Sequence, residues 1–230
     1  MKGKSQCNWP VLCLDGPSGV GKGAVGQIVA GKLGWHFLDS GAIYRVLAFA
    51  AKQKGIEPTD AKNLLQLANE LRLEFKFRPG EEPLVFVDGI DVSREIRTEE
   101  CGESASKLAI LPEVREGLIS FQQRQCRSPG LVADGRDMGT VVFPHAQTKI
   151  FLKASAEVRA QRRYNQLKQK GLGGNLPRLI RAIQERDQRD STRAVSPLIP
   201  SDDAHILDTS DLTIPEVVDC ILDLLAAKRN

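Results

Sequence analysis

Short apolar runs alternate with helix-like stretches along most of the chain. The run at 11–15 ends in a glycine-rich turn, and an amphipathic stretch with helical spacing follows it. Further strand-like runs lie at 35–38, 131–135, 148–154 and 206–209, and helix-like stretches lie at 156–170, 176–193 and 214–228. Strands that alternate with helices predict an α/β fold, with a parallel sheet flanked by helices on both faces.

Residues 72–96 do not follow this alternation of strands and helices. Short β-like runs around a turn at 79–83 predict a small antiparallel sheet, and helices are expected at 98–110 and 112–127. The pattern therefore divides the chain into a core, a large insertion and a smaller arginine-rich insertion. The core comprises 1–44, 130–158 and 176–230, and the insertions are 45–129 and 159–175.

Composition narrows the class of protein. The 230 residues are 41% hydrophobic and 27% charged, which is typical of a folded globular chain. No apolar run approaches the roughly 20 residues of a bilayer span, and the polar start lacks a signal-peptide core, so we expect a cytoplasmic protein without a membrane partner. A net charge of +3 gives no argument for nucleic acid. Five scattered cysteines predict neither a disulfide framework nor a zinc site, and we expect reduced thiols.

The segment 16–22 matches the phosphate-binding pattern GxxxxGK, between a predicted strand and a predicted helix. Glycines let backbone N–H groups converge on a phosphate, and Lys22 can reach the terminal phosphates of a nucleotide. The alternative is a tight turn that binds no ligand. The predicted ATP-binding residues of this loop are Gly16, Pro17, Ser18, Gly19, Val20, Gly21, Lys22, Gly23 and Ala24.

The residues after Lys22 depart from the usual pattern. Gly23 occupies the position where Ser or Thr usually contacts Mg²⁺, and the next residue is Ala24, so neither offers a hydroxyl. Magnesium would then be held by nucleotide phosphates and water, and Asp15 and Asp134 at strand ends are the candidate carboxylates, acting through water. The alternative is that these carboxylates cap the adjacent loops.

Arginines fall on helix faces that should be buried. In the stretch 176–193 the apolar stripe continues into Arg186, Asp190 and Arg193. Buried charges need partners, and a bound polyanion would supply them; the alternative is a helix end in water. Arg159 and Arg163 precede a glycine-rich segment and could close over ATP phosphates, unless they belong to a solvated basic helix. An RNA-binding surface is disfavoured because stacking aromatics are missing.

No motif resembles the catalytic loop that presents a carboxylate to an alcohol substrate. If the acceptor is itself a phosphate, its attacking oxygen is already ionised near neutral pH and needs no base. Holding two mutually repelling polyphosphates in line calls for arginines, which this chain supplies.

Four blocks, GPSGVGKG, LDSGAIYR, VADGRDMGTVVFP and ERDQRDSTRAVSPL, together resemble the bacterial cytidylate kinase family over essentially the whole chain. The resemblance implies the P-loop nucleoside-monophosphate-kinase fold and ATP-dependent, Mg²⁺-dependent phosphorylation of CMP and dCMP, in pyrimidine nucleotide metabolism, by a monomer. It assigns the core to ATP, 45–129 to the acceptor and 159–175 to a mobile lid. The family typically has Thr where this chain has Ala24, which implies weaker ATP binding.

The resemblance also implies roles for individual residues. Arg45 and Arg136 would clamp the CMP phosphate, Ser40 would line the same site, and Asp190 would lie near the ribose. The predicted catalytic residues are Lys22, Arg136, Arg186 and Arg193; the lid residues Arg159 and Arg163 would contact ATP; and the predicted CMP-binding residues are Ser40, Arg45, Ser106, Arg115, Arg136, Asp137, Arg186 and Asp190.

Ser106, Arg115 and Asp137 would read the base. A carboxylate matches the exocyclic amino group of cytosine, a guanidinium matches its ring acceptors, and uracil would place a carbonyl against the carboxylate. From the residues alone, Ser106, Arg115 and Arg45 could instead be surface residues, and Asp137 could form a structural salt bridge. Rival functions are a P-loop kinase for another monophosphate or a small alcohol, and a regulatory module that binds ATP without turnover.

Overall fold

The structure is a computed structural model that describes residues 7–76, 83–169, 171 and 173–227. Its strands are β1 (Val11–Asp15), β2 (His36–Asp39), β3 (Leu73–Lys76), β4 (Leu84–Val87), β5 (Ile90–Asp91), β6 (Leu131–Asp134), β7 (Thr148–Lys153) and β8 (His205–Asp208). Its α-helices are α1 (Lys22–Leu33), α2 (Ser40–Gln53), α3 (Ala61–Glu70), α4 (Glu99–Leu108), α5 (Pro112–Gln123), α6 (Ala156–Gln169), α7 (Leu176–Thr192) and α8 (Ile214–Ala227).

Five strands form one parallel sheet in the order β2-β6-β1-β7-β8. All their carboxyl ends therefore lie at one edge, where ligands bind in open α/β sheets. The small sheet β3-β4-β5 is antiparallel. The predicted fold class is confirmed.

The core is divided by the parallel sheet because successive side chains of a strand point to opposite faces. Val11 and Cys13 pack with a cluster from α2, α3 and α5, whereas Leu12 and Leu14 pack with a cluster from α1 and α8. This burial on both faces explains why the strands are nearly continuous apolar runs. It also fixes the position of the loops that follow β1 and β6.

The insertion differs in detail from the sequence prediction. The stretch DVSREI contributes only a short pairing at β5, and its later residues form a 3₁₀ turn at Glu95–Arg97. Helix α3 was not predicted, although Leu64 and Leu67 bury one face of it. The predicted turn at 79–83 lies outside the described residues except at Pro83.

The expectation of five reduced thiols is wrong for one pair. Cys7 and Cys126 form a disulfide, with their Cα atoms 5.9 Å apart and a sequence separation of 119. No local spacing signals a contact of that separation. Cys13, Cys101 and Cys220 are free thiols. Among the described residues, none of the helices combines the length and the apolar character that crossing a bilayer demands.

Candidate active site

The loop after β1 wraps around the amino end of α1. Gly16, Gly19 and Gly21 have positive φ angles of 145°, 79° and 102°, a region that favours glycine. At Gly16 a Cβ atom would also lie 2.2 Å from the Leu152 carbonyl oxygen. Gly21 caps α1 without a side-chain hydrogen bond, so the first N–H groups of the helix remain available to an anion.

Lys22 is buried at the start of α1. Its Nζ donates to the carbonyl oxygens of Gly16 and Pro17, both at 2.9 Å, and lies 3.9 Å from Asp134 Oδ1. Burial, followed by the nearby guanidinium of Arg136, lowers the pKa of Lys22 to about 8. The ammonium group is therefore held by carbonyl dipoles on its own loop, beside the open helix terminus.

The two candidate metal-side carboxylates have different surroundings. Asp15 accepts hydrogen bonds from the backbone N–H groups of Met138 and Gly139, at 2.9 and 2.8 Å. Asp134 Oδ2 would lie 3.5 Å from a Cβ at Gly23, so it faces the position where other P-loops carry a hydroxyl. Burial raises the pKa of Asp15 to about 6 and that of Asp134 to about 7.

The described residues contain no cluster of three or more His, Cys, Asp or Glu side chains that could hold a metal ion. A magnesium ion fits this donor set only if nucleotide phosphates and water supply most of its oxygens. Asp134 is suitably placed to accept from such a water.

A cleft opens between α2, α4, α5, α7 and the loop after β6. All eight predicted CMP-binding residues line the cleft, and Arg193 joins them. The full lining is Ser40, Gly41, Tyr44, Arg45, Ala105, Ser106, Ala109, Arg115, Gly135, Arg136, Asp137, Arg186, Asp190 and Arg193.

The cleft contains a buried ion pair. Arg115 Nη2 donates to Asp137 Oδ2, while Arg115 Nη1 donates to the Ala109 carbonyl oxygen at 2.9 Å. The guanidinium also lies 5.9 Å from the centre of the Tyr44 ring. A carboxylate and a guanidinium thus lie side by side. Together they can accept a hydrogen bond from a donor group of a base and donate one to a neighbouring acceptor.

The cleft is also rich in positive charge. Arg136 Nε donates to Asp190 Oδ2 at 2.9 Å, and Arg45 Nη1 donates to the carbonyl oxygens of Ile96 and Thr98 at 2.7 and 3.0 Å. Burial, followed by repulsion from Arg136, lowers the pKa of Arg186 to about 10. One carboxylate, that of Asp190, therefore faces several guanidinium groups.

Some of these guanidinium donors are unsatisfied. Arg115 Nε, Arg186 Nε and Arg193 Nη2 are buried and have no hydrogen-bond partner in the described part of the chain. Leaving a buried donor unpaired is costly, whereas phosphate oxygens would satisfy it with charge-assisted hydrogen bonds. The cleft is therefore suited to a polyanion.

The predicted lid arginines lie outside this cleft. Arg159 is buried against Asp187, with Nη1 3.0 Å from Oδ1, and it also donates to the Ser18 carbonyl oxygen at 2.9 Å. Arg163 Nη2 lies 2.6 Å from Glu99 Oε1, which links α6 to α4. Arg159 therefore adjoins the phosphate loop, and Arg163 contacts the start of α4.

Sequence reasoning did not single out Tyr44, Asp187 or Glu99 for the site. Tyr44 adjoins Arg45 in the LDSGAIYR block, which is the one signal that pointed to it. Asp187 is one turn from both Ile183 and Asp190, but nothing in the pattern of α7 pairs it with Arg159 of another helix.

The family model for cytidylate kinase matches residues 12–227. A cytidylate kinase from Marinomonas sp. (strain MWYL1) is 54% identical over 212 residues, covering 92% of this chain and 93% of the relative. One from Aeromonas salmonicida (strain A449) is 54% identical over 213 residues, covering 93% and 92%. A solved gluconokinase from Sinorhizobium meliloti 1021 is 16% identical with a TM-score of 0.46, covering 96% and 94%, and the assignment does not depend on it. The chain belongs to the cytidylate kinase family.

Proposed function

We propose that this chain transfers the γ-phosphoryl group of ATP to CMP and dCMP, which yields CDP and dCDP. The observation that carries the proposal is the cleft, which is lined both by the Arg115–Asp137 pair and by Arg45, Arg136 and Arg186. Membership of the cytidylate kinase family supports the same activity.

The acceptor would bind with its base against the Arg115–Asp137 pair. Asp137 would accept from the exocyclic amino group of cytosine, Arg115 would donate to a ring acceptor, and Ser106 would add a hydroxyl. Uracil would set a carbonyl oxygen against the Asp137 carboxylate, so the site is expected to disfavour it strongly. Asp190 would lie near the ribose.

The acceptor phosphate would be held by Arg45 and Arg136, with Ser40 beside it. Its oxygen is ionised near neutral pH, so attack on the γ-phosphorus needs no proton acceptor from the protein. Arg136, Arg186 and Arg193 would neutralise the charge that spreads over the transferred group, and Lys22 would do so from the donor side. These cationic side chains would hold the two anionic nucleotides in line for the transfer.

The donor would lie on the glycine loop at the amino end of α1, with lid residues Arg159 and Arg163 near its phosphates. Magnesium bound by the phosphates and water, with Asp134 in contact through water, would neutralise charge on the triphosphate. We assign 1–44, 130–158 and 176–230 to the ATP-binding core, 45–129 to acceptor binding and 159–175 to the lid. The proposed enzyme acts as a monomer.

A coupled assay that measures ADP release tests the proposal. With ATP and Mg²⁺, release should depend on CMP or dCMP and should be much slower with UMP or AMP. Matched reactions without an acceptor measure background hydrolysis. Comparable rates with another monophosphate or with a small alcohol would support the rival kinase, and ATP binding without acceptor-dependent turnover would support a regulatory module.

A further inference from the structure

The carboxylate of Asp15 binds a loop that lies beyond the neighbouring strand β6. It is 6% exposed, and its two oxygens accept from the consecutive N–H groups of Met138 and Gly139. These are the first two N–H groups of a π-helical turn at Met138–Val142. A helical turn leaves such groups unsatisfied unless a side chain caps them.

The residue in the capping position of that turn is Asp137, and it does not act as the cap. It makes no side-chain hydrogen bond to the turn, and its φ and ψ of −145° and 27° lie outside the extended region usual for N-caps. Its carboxylate contacts Arg115 in the cleft instead. An aspartate in the position of Asp137 commonly caps its own turn. Here the cap is instead supplied by Asp15, which lies on another strand.

The end of β1 also holds the other side of the same loop. The Gly135 N–H donates to the Leu14 carbonyl oxygen at 3.0 Å. Arg136 and Asp137 therefore lie between two anchors, both supplied by the last residues of the strand that leads into the phosphate loop. Asp15 joins the site for the donor to the site for the acceptor.

We infer that Asp15 is a positioning residue for base selection: by capping the 138–142 turn in place of Asp137, it leaves the Asp137 carboxylate free to read cytosine. Without this acceptor, Asp137, which occupies the capping position of the turn, becomes the local acceptor for these N–H groups. A shift of Asp137 toward its own turn would withdraw it from Arg115 and from the base. The inference rests on the proposed function.

The variant Asp15→Asn tests it, because the amide keeps the shape but opposes one N–H donor with its own NH₂ group. The matched control is Asp60→Asn at the amino end of α3, where both carboxylate oxygens also accept hydrogen bonds, from the backbone N–H and side chain of Asn63. The readout is kcat/KM for CMP divided by kcat/KM for UMP. Because small displacements of a reacting group cost large factors, we expect this ratio to fall about 10-fold or more in Asp15→Asn and to be unchanged in Asp60→Asn.

A double-mutant cycle separates positioning from other roles. Asp137→Ala should reduce the CMP-to-UMP ratio much less in the Asp15→Asn background than in the wild type, because the two residues act on one interaction. Any of three results would overturn the inference. They are additive effects of the two substitutions, an unchanged CMP-to-UMP ratio in Asp15→Asn, and a change in the Mg²⁺ half-saturation concentration as the only effect of Asp15→Asn. Wild-type protein that fails to phosphorylate CMP would instead overturn the proposed function.

Amide hydrogen exchange on the wild-type enzyme provides a measurement that does not depend on the folding of a variant. The N–H groups of Met138 and Gly139 should be strongly protected without nucleotide, since Asp15 binds both. Exchange at the rate of free loop amides would show that the cap is absent in solution and would overturn the inference.

Discussion

Asp190 on α7 accepts a hydrogen bond at 2.9 Å from Arg136 Nε, in the loop after β6. The contact joins two segments of the cleft that are 54 residues apart in sequence. It orients Arg136 while leaving its other nitrogens to a ligand. Because the carboxylate also lies close to Arg186 and Arg193, it offsets repulsion between cations that the site requires.

Replacing this carboxylate should weaken catalysis without unfolding the chain. Asp190→Asn keeps the shape but removes the charge from a charge-assisted hydrogen bond, which contributes about 1.5–3 kcal/mol. We expect kcat/KM for CMP to fall about 10- to 100-fold in steady-state assays. The control is Asp219→Asn, an exposed carboxylate 3.4 Å from Lys32, which should retain full activity. Equal activity of the two variants would contradict the prediction.

The missing hydroxyl after Lys22 can be restored. Ala24 is exposed in the first turn of α1, so a threonine fits there and can donate to a nucleotide phosphate. One neutral hydrogen bond contributes about 1 kcal/mol, so Ala24→Thr should lower the KM for ATP about 5-fold. Ala24→Val has the same branching without the hydroxyl and should not lower it. A KM that is unchanged or raised in Ala24→Thr would contradict the proposed contact.

Lys22 should be essential to turnover. Lys22→Ala removes the ammonium group closest to the donor phosphates, and we expect kcat to fall by about two orders of magnitude or more. Lys32→Ala, at the other end of the same helix and half exposed, should leave kcat unchanged. A small loss in Lys22→Ala would remove Lys22 from the catalytic set.

The pH profile should report the lowered pKa of Lys22. Burial and Arg136 bring that pKa to about 8, so the free enzyme loses the ammonium charge as pH rises through this value. Because kcat/KM reports ionisations of the free enzyme, kcat/KM for ATP should fall above about pH 8. With ATP saturating, bound phosphates keep Lys22 protonated, and kcat/KM for CMP should be flatter over the same range. A flat ATP profile to pH 9 would contradict the prediction.

Base preference should depend on Asp137. Asp137→Ala removes the acceptor for the amino group of cytosine and the carboxylate that repels uracil. We expect the ratio of kcat/KM for CMP to that for UMP to fall by more than the total turnover does. Ser106→Ala, which removes only a hydroxyl from the cleft, should change the ratio less. Loss of turnover at constant preference would assign Asp137 to catalysis or folding instead.

Much of the architecture was readable from periodicity and from the glycine loop, because burial on both faces of a parallel sheet imposes apolar runs and the P-loop imposes positive φ angles. Helix α3 was not predicted because only Leu64 and Leu67 of its 10 residues are buried, so its apolar stripe is short. The other predicted cleft residues lie within the four family blocks. Ser106 and Arg115 lie outside those blocks and were assigned by the family resemblance alone, since nothing local to them indicates that both face one cavity.

The sequence did not indicate which residues contact each other when they lie on different elements of the fold. The charge pattern of α6 indicates that Arg159 is positively charged but not that Asp187 of α7 stands opposite it. Likewise, Asp15 was a reasonable candidate for the metal side because it ends a strand, whereas its two backbone donors come from a turn 123 and 124 residues away. Contacts of this separation leave no spacing to recognise.

The chain leaves the parallel sheet after β2 and returns in the adjacent strand β6, where the His36 N–H donates to the Gly130 carbonyl oxygen at 2.9 Å. Arg115 comes from the excursion between these strands, and Asp137 comes from the segment after the return. Recognition of the base therefore depends on how these two segments meet at the junction between β2 and β6.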